Sequence, residues 1–344
     1  MKYLTIDPTK AQHPTRDHTA QLPTSLPAEA KTLHHPTKPG SENASLYFVG
    51  TATTILYLKS HQHLKVLLIE HREWEGIRIM TDPVTGTRVT NPAFDLHELP
   101  RIDLVLLSHY HADHFDQEVE ASLRRDLPII STPHAKAHLA TKPDGEAFTA
   151  VYDIGFFEEM FVDVKSAGET GGRKPGIKVI GMPGKHVPSG GFLGTANDII
   201  KAVRILIYIS GDTLLCPELQ EIADRYSHLG IDLLLLHLGG TTVPSPSLPL
   251  LMITMDAKQG VELIRLVKPD VAIPIHYDDY DVFLSPLSDF EKAVKEAELE
   301  KKVVILDRKD KGSREINDRV PINCNVGITI HLRFKQALIT ILEY

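Results

Sequence analysis

Cysteine is almost absent from this 344-residue chain, which has only Cys216 and Cys324. Two thiols cannot build a disulfide framework, so a reducing compartment, the cytoplasm, is the expectation. Long apolar runs are missing too. No stretch reaches the roughly 20 residues of a membrane-spanning helix, and Met1 to Lys10 holds no apolar core of a secretory leader. Integral membrane association is therefore not expected. Positive charge is scarce: Lys and Arg number 37 against 45 Asp and Glu, a formal net charge of −8. With no localised basic run, such a chain repels phosphate backbones, which argues against a nucleic-acid partner. A Gly-x-Ser-x-Gly elbow is also missing, so serine-hydrolase chemistry has no seat.

What is present is an ordinary globular composition, 42% hydrophobic and 24% charged. That is enough for one large domain or two modest ones. Residues 1–44 carry Pro8, Pro14, Pro23, Pro27, Pro36 and Pro39 with no apolar periodicity, which predicts a loosely ordered arm. From residue 45 the texture changes. Short β-branched or apolar runs at Ser45 to Leu58, Gly76 to Met80, Ile102 to Leu107, Lys178 to Met182, Ile205 to Ser210, Leu233 to Leu236 and Val271 to Ile275 read as strands. Gln117 to Arg125 and Pro133 to Ala140 read as helices. Asp256 caps a third helix, and Ser285-Pro286 opens a fourth with proline at its first position. Strands alternating with helices, and ending in polar clusters, indicate a layered α/β architecture with ligands at the strand ends. The main domain is expected over residues 45–309, followed by a tail, 310–344, to which no structure is assigned.

The chain has 18 histidines, and their position matters more than their number. Ser108-His109-Tyr110-His111-Ala112-Asp113-His114 leaves the apolar strand at Ile102 to Leu107 directly. In an extended segment alternate side chains share a face, so His109 and His111 can address one ion. The following turn can bring Asp113 and His114 to a second. A polar surface loop with chance histidines is the bland alternative.

His-x-His-x-Asp-His after a buried strand resembles the signature of the metallo-β-lactamase superfamily. The resemblance implies a four-layer αβ/βα sandwich and two divalent metal ions, zinc first, with iron or manganese as alternatives. It also implies further ligands in a set order: His186 in Gly184-Lys185-His186, a bridging Asp212 in Ser210-Gly211-Asp212-Thr213, and His276 in Ile275-His276-Tyr277. His109, His111 and His186 then hold the first metal; Asp113, His114 and His276 hold the second, with Asp212 between them. A metal-bound hydroxide attacks the substrate in such enzymes. Thr81-Asp82-Pro83, Met182-Pro183-Gly184 and Ser210-Gly211-Asp212 resemble the branch of ascorbate-6-phosphate lactonase and N-acylphosphatidylethanolamine phospholipase D.

This leaves three functions open: hydrolysis of a small-molecule lactone, lactam or ester; a phosphodiesterase acting on a phospholipid or nucleotide; and metal binding without catalysis. Besides Asp113 and Asp212, the candidate catalytic residues are Lys185 and Tyr277, which flank ligands and could meet a developing oxyanion, and His237 at a strand end. Tyr280 is a weaker candidate of the same kind. His134 is expected to be structural, and His34, His35, His61 and His63 to lie on the surface. The partner is a small molecule, and a homo-oligomer stays open. The pattern departs from the superfamily at residues 57–75, 84–100, 202–206 and 310–344. Lys59 to Arg72 reads as an insertion at a hairpin.

Overall fold

The computed structural model describes residues 2–16, 21–27, 29–36, 44–58, 76–85, 92–93, 95–143, 145–165, 176–186, 207–245, 247–278, 280–306 and 327–332. The strands begin β1 (Lys2–Ile6), β2 (Glu29–Leu33), β3 (Ala44–Gly50), β4 (Thr53–Leu58), β5 (Ile77–Thr81), β6 (Leu104–Leu106), β7 (Ile129–Ser131) and β8 (Val151–Asp153). They continue with β9 (Glu159–Val164), β10 (Gly176–Ile180), β11 (Ile207–Ile209), β12 (Leu233–His237), β13 (Thr242–Ser245), β14 (Leu248–Met252), β15 (Val271–Ile275) and β16 (Gly327–Leu332). The helices are α1 (Gln117–Ser122), α2 (Pro133–Leu139), α3 (Leu219–Tyr226), α4 (Ala257–Val267) and α5 (Leu287–Glu296).

One mixed sheet of eight strands has the order β2-β16-β3-β4-β5-β6-β7-β8, and two three-stranded sheets, β1-β9-β10 and β11-β12-β15, accompany it. Residue parity shows how they stack. On β6, Leu104 and Leu106 join a core with Leu46, Leu56, Ile79, Ile207, Leu233 and Ile273, so this core lies between the sheets. Val105 of β6 points the other way and packs with Val119 of α1 and Ala135 and Leu139 of α2. Leu234 and Leu236 of β12 likewise turn outward, onto Val261 and Ile264 of α4 and Phe290 and Val294 of α5. Alternate residues serving opposite faces is the period-2 rule of strands, and here both faces of each sheet are apolar. The result is the expected four-layer αβ/βα sandwich. α4 lies close against β12 because Gly260 faces it: a Cβ there would be 3.2 Å from Leu236 Cδ2.

Asp256 caps α4 as expected, accepting from the Gln259 backbone at 2.8 Å. Pro286 is the residue just before α5 and not its first helical residue. The arm over 1–44 is a correction. Lys2–Ile6 is a strand paired in parallel with Glu159–Val164, burying Leu4 and Ile6 against the inter-sheet core. Arg16 also forms an ion pair with Glu146 at 3.0 Å. In the expected tail, Gly327–Leu332 enters the main sheet between β2 and β3, antiparallel to β3.

The expected insertion, Lys59 to Arg72, lies outside the described residues. Its flanks are informative: β4 and β5 pair antiparallel up to Leu58 opposite Ile77, so the segment joins the two arms of one hairpin. Deleting residues 59–72 leaves Glu73 to Gly76 to close it. The expected outcome is an unchanged fold and metal content, with stability raised by about 1 kcal/mol from the shorter loop. Thermal unfolding and elemental analysis of the deletion variant check this; loss of folding would mean the segment is integral to the sheet.

Candidate metal centre

The ligand-type side chains sit where strands end. β5 delivers Asp82, β6 leads into His109 to His114, β11 leads to Asp212, β12 ends in His237 and β15 leads to His276. His186 follows β10. Two groups result. His109, His111 and His186 form one, and Asp113, His114, Asp212 and His276 form the other; within each, one ligand atom per residue lies within 4.8 Å of the rest. All seven residues named as metal ligands are thus brought together.

In the first group His186 Nε2 is 3.2 Å from His111 Nδ1, and the His109 ring is 4.5 Å from that of His111. The His186 Nδ1–H donates to Ile253 O at 2.9 Å, which aims Nε2 at the group. In the second group His114 Nε2 is 3.2 Å from Asp212 Oδ1, and His276 Nε2 is 3.5 Å from Asp113 Oδ2. His276 Nδ1 is held by Leu238 O at 3.1 Å. Backbone carbonyls that take one ring proton fix the tautomer and the orientation of a ligating imidazole. Asp212 reaches both groups: its Oδ1 faces His114, and its Oδ2 is 3.9 Å from His186 Nε2. His276 itself has φ 60°, a strained backbone for a non-glycine residue. Its N–H donates to Thr51 O at 2.8 Å, which ties the β15 end to the β3–β4 turn.

Asp82 was legible only as part of a motif, without a role. It is buried, its Oδ1 accepts from the Ser108 backbone at 2.6 Å, and its Oδ2 is 3.2 Å from His114 Nδ1 and 3.4 Å from His237 Nε2. It is therefore the carboxylate that orients His114 from behind. His237 contacts this carboxylate and stacks on the His114 ring at 5.5 Å, so it borders the second ligand group from the Asp82 side. Tyr277 is not at the site: its hydroxyl donates to Leu306 O at 3.3 Å within the core under α4 and α5. Lys185 is exposed beside His186, with its backbone N–H on Thr213 Oγ1. The Phe283 ring stands 4.6 Å from that of His276, and Tyr280 packs edge-on against Phe283. Asp212 stands in the loop before α3, which starts at Leu219. His134 lies in the first turn of α2, and His34 is exposed, but His35 is buried, a correction; His61 and His63 lie outside the described residues.

The electrostatics separate the two groups. Burial lowers the pKa of His109 and His111, and neighbouring imidazoles, His114 and His186 foremost, lower it further. Burial opposes charge on His114 as well, but Asp212 and Asp82 on either side raise its pKa well above 6.5. Asp212 and then Asp113 do the same for His276. The carboxylates mirror this: burial pushes Asp82, Asp113 and Asp212 up, and the histidines beside them hold all three below the carboxylate range.

The arrangement fits divalent ions. His114 Nε2, Asp212 Oδ1 and His276 Nε2 are buried and make no hydrogen bond among the described residues. Buried polar atoms are normally paired, and an imidazole and carboxylate set of this kind suits zinc, iron or manganese.

A ligating imidazole must be unprotonated. His109 and His111 are already neutral near pH 7, whereas His114 is protonated there without a metal. Loading the second group therefore expels protons, and its affinity rises as pH rises. The proton on His114 stabilises the metal-free fold fully below 6.5, and that contribution fades as pH climbs through the raised value. Calorimetric zinc titrations in buffers of different protonation enthalpy should show this release; affinity independent of pH between about 6 and 8 would contradict it. Asp82→Asn keeps the Ser108 hydrogen bond but loses the charge behind His114. It should weaken the second ion by about 10–100-fold with the fold intact, read by metal-buffer competition.

A family model described as "Beta-lactamase superfamily domain" matches residues 77–277, more than half of the chain. A metal-dependent hydrolase of Nanoarchaeum equitans is 26% identical over 242 residues, covering 68% of this chain and 89% of that protein. Another, of Archaeoglobus fulgidus, is 28% identical over 256 residues, covering 71% and 96%. Among solved structures, the isothiocyanate hydrolase from Delia radicum gut bacteria superposes with a TM-score of 0.50 at 14% identity, covering 76% of this chain and 96% of that one. That likeness concerns the fold. The strand-end His and Asp clusters and the matched span lead to one assignment: this chain belongs to the beta-lactamase superfamily.

Proposed function

We propose that the chain is a metal-dependent hydrolase that opens a lactone, lactam or ester bond of a small molecule at His109, His111, Asp113, His114, His186, Asp212 and His276. The observation that carries this reading is Asp212, buried and facing both ligand groups with different oxygens. The name metal-dependent hydrolase on the curated relatives supports it. The hydrolase body is assigned to residues 45–309, which hold all seven ligand candidates. Within the superfamily, Thr81-Asp82-Pro83 and Ser210-Gly211-Asp212 favour the branch that resembles ascorbate-6-phosphate lactonase and N-acylphosphatidylethanolamine phospholipase D.

Two divalent ions, zinc foremost, would supply Lewis acidity and bring the pKa of a bound water toward neutrality. The protein's part is to hold and orient. Asp82 and the carbonyls of Ile253 and Leu238 fix three of the imidazoles. His111 is exposed and Asp113 half-buried, while His114, Asp212 and His276 are buried, so substrate meets the centre from the His111 side. Phe283 packs on the His276 side of the centre, with Tyr280 against it. The exposed ammonium of Lys185 beside His186 is assigned to the oxyanion that forms as the carbonyl is attacked. Among the described residues no helix is long and apolar enough to cross a membrane, which accords with a small-molecule substrate.

Protein purified without chelator should carry about two divalent ions per chain. Asp113→Ala should lose one of them and about 10²–10³-fold in kcat, the scale of removing one electrostatic element from a site. A panel of lactones, lactams, carboxylic esters and phosphodiesters, assayed with the metal-loaded enzyme, tests the substrate class. Turnover of phosphodiesters alone would replace the acyl reading, and a chain that holds no metal after reconstitution would remove it.

A further inference from the structure

Away from the centre, two exposed imidazoles meet on α2. His134 and His138 lie four positions apart, on one face of the helix. Their Nε2 atoms are 3.2 Å apart and their rings 4.6 Å apart. The helix does not need them: Ala135 and Leu139 supply its buried face, and Thr132 caps it through the Ala135 backbone at 2.8 Å. Two histidines at i and i+4 on a helix present two ring nitrogens to a single ion.

We propose that His134 and His138 form a surface site for one divalent first-row ion of the imidazole-binding class, Zn²⁺, Cu²⁺ or Ni²⁺, separate from the buried centre. Water completes the coordination. Mg²⁺ and Ca²⁺ do not compete, because they take oxygen ligands. The site abuts the ligand loop. The Tyr110 ring, between His109 and His111 in sequence, stacks on His138 at 5.2 Å with an interplanar angle of 12°. The Tyr110 hydroxyl donates to Glu120, which also pairs with Lys142, so the Lys142 ammonium is already matched by a carboxylate. An ion on α2 fixes the ring against which the Tyr110 side of that loop rests.

The test uses the full chain, loaded with zinc at its centre and desalted, then titrated with Zn²⁺ by calorimetry and with Cu²⁺ by electron paramagnetic resonance. One further, weaker ion per chain is expected, with nitrogen hyperfine structure from two imidazoles for Cu²⁺. His134→Ala and His138→Ala should each weaken it by about tenfold or more, since even an outer partner of a ligand is worth that much. Metal content of the centre should not change. Zn²⁺ should also protect both histidines of the unmodified chain from diethyl pyrocarbonate, a reading that needs no variant. If the wild-type chain takes up no further ion, if both variants retain it, or if labelling is unprotected, the 3.2 Å contact is an imidazole–imidazole hydrogen bond and the proposal falls.

Discussion

Asp82 and Asp212 are taken out of water on opposite sides of one imidazole, that of His114, at 3.2 Å each. A buried carboxylate is tolerated only when charge or hydrogen bonds replace its water. Here the replacement is His114 in the middle, His237 behind Asp82, and His276 beside Asp212. The row carboxylate–imidazole–carboxylate is held by charge: the contacts on either side of His114 are ion pairs, and His114 Nε2 and Asp212 Oδ1 keep no hydrogen-bond partner among the described residues. Other features of the centre take their position from it. Asp82 also holds the Ser108 N–H, and so sets where the strand from β6 turns into the ligand loop.

The topology makes that row achievable. Parallel strands send their C-terminal ends to one edge, and loops leaving that edge can hold polar groups without breaking the apolar layers. β5 and β6 are parallel neighbours in the main sheet, and β11, β12 and β15 are parallel in the facing sheet. Asp82, the His109–His114 loop, Asp212, His237 and His276 all leave from such ends. The two sheets thus converge on the centre, each bringing both carboxylates and imidazoles. The apolar core between them, from Leu104 and Leu106 to Leu233 and Ile273, keeps their separation fixed. Positive φ at His276 and Asp82 shows that the backbone yields locally to meet the polar row.

Much of this was readable before any coordinates. The motif from His109 to His114 stood out because a buried strand ended in four ligand-type residues, which is a local signal. The remote ligands His186, Asp212 and His276 needed the resemblance to a family, since no periodicity links them. Asp82 showed only as a motif because its partners, Ser108, His114 and His237, are distant in sequence. Tyr277 was misplaced for a different reason. The φ of 60° at His276 breaks the alternation of β15, so the next side chain turns into the core under α4 and α5 and not toward the metals. Lys2–Ile6 escaped notice because only Leu4 and Ile6 of its five residues are buried. So short an alternation is indistinguishable from a proline-rich arm. Layer order was legible because the core strands are apolar on both faces.

The strand Gly327–Leu332, seated between β2 and β3, sets a timetable for the ribosome. β3 is among the first strands of the main sheet to emerge, yet one of its two edges waits for a partner from the far end of the described chain. Until then that edge offers unpaired amide and carbonyl groups to any passing strand. Unpaired edges of this kind make partly folded chains prone to aggregation. Truncated or stalled chains should then fail by aggregation rather than by slow catalysis. The late pairing of β3 thus bears on how the chain folds as it is made, a kinetic matter that equilibrium stability does not report.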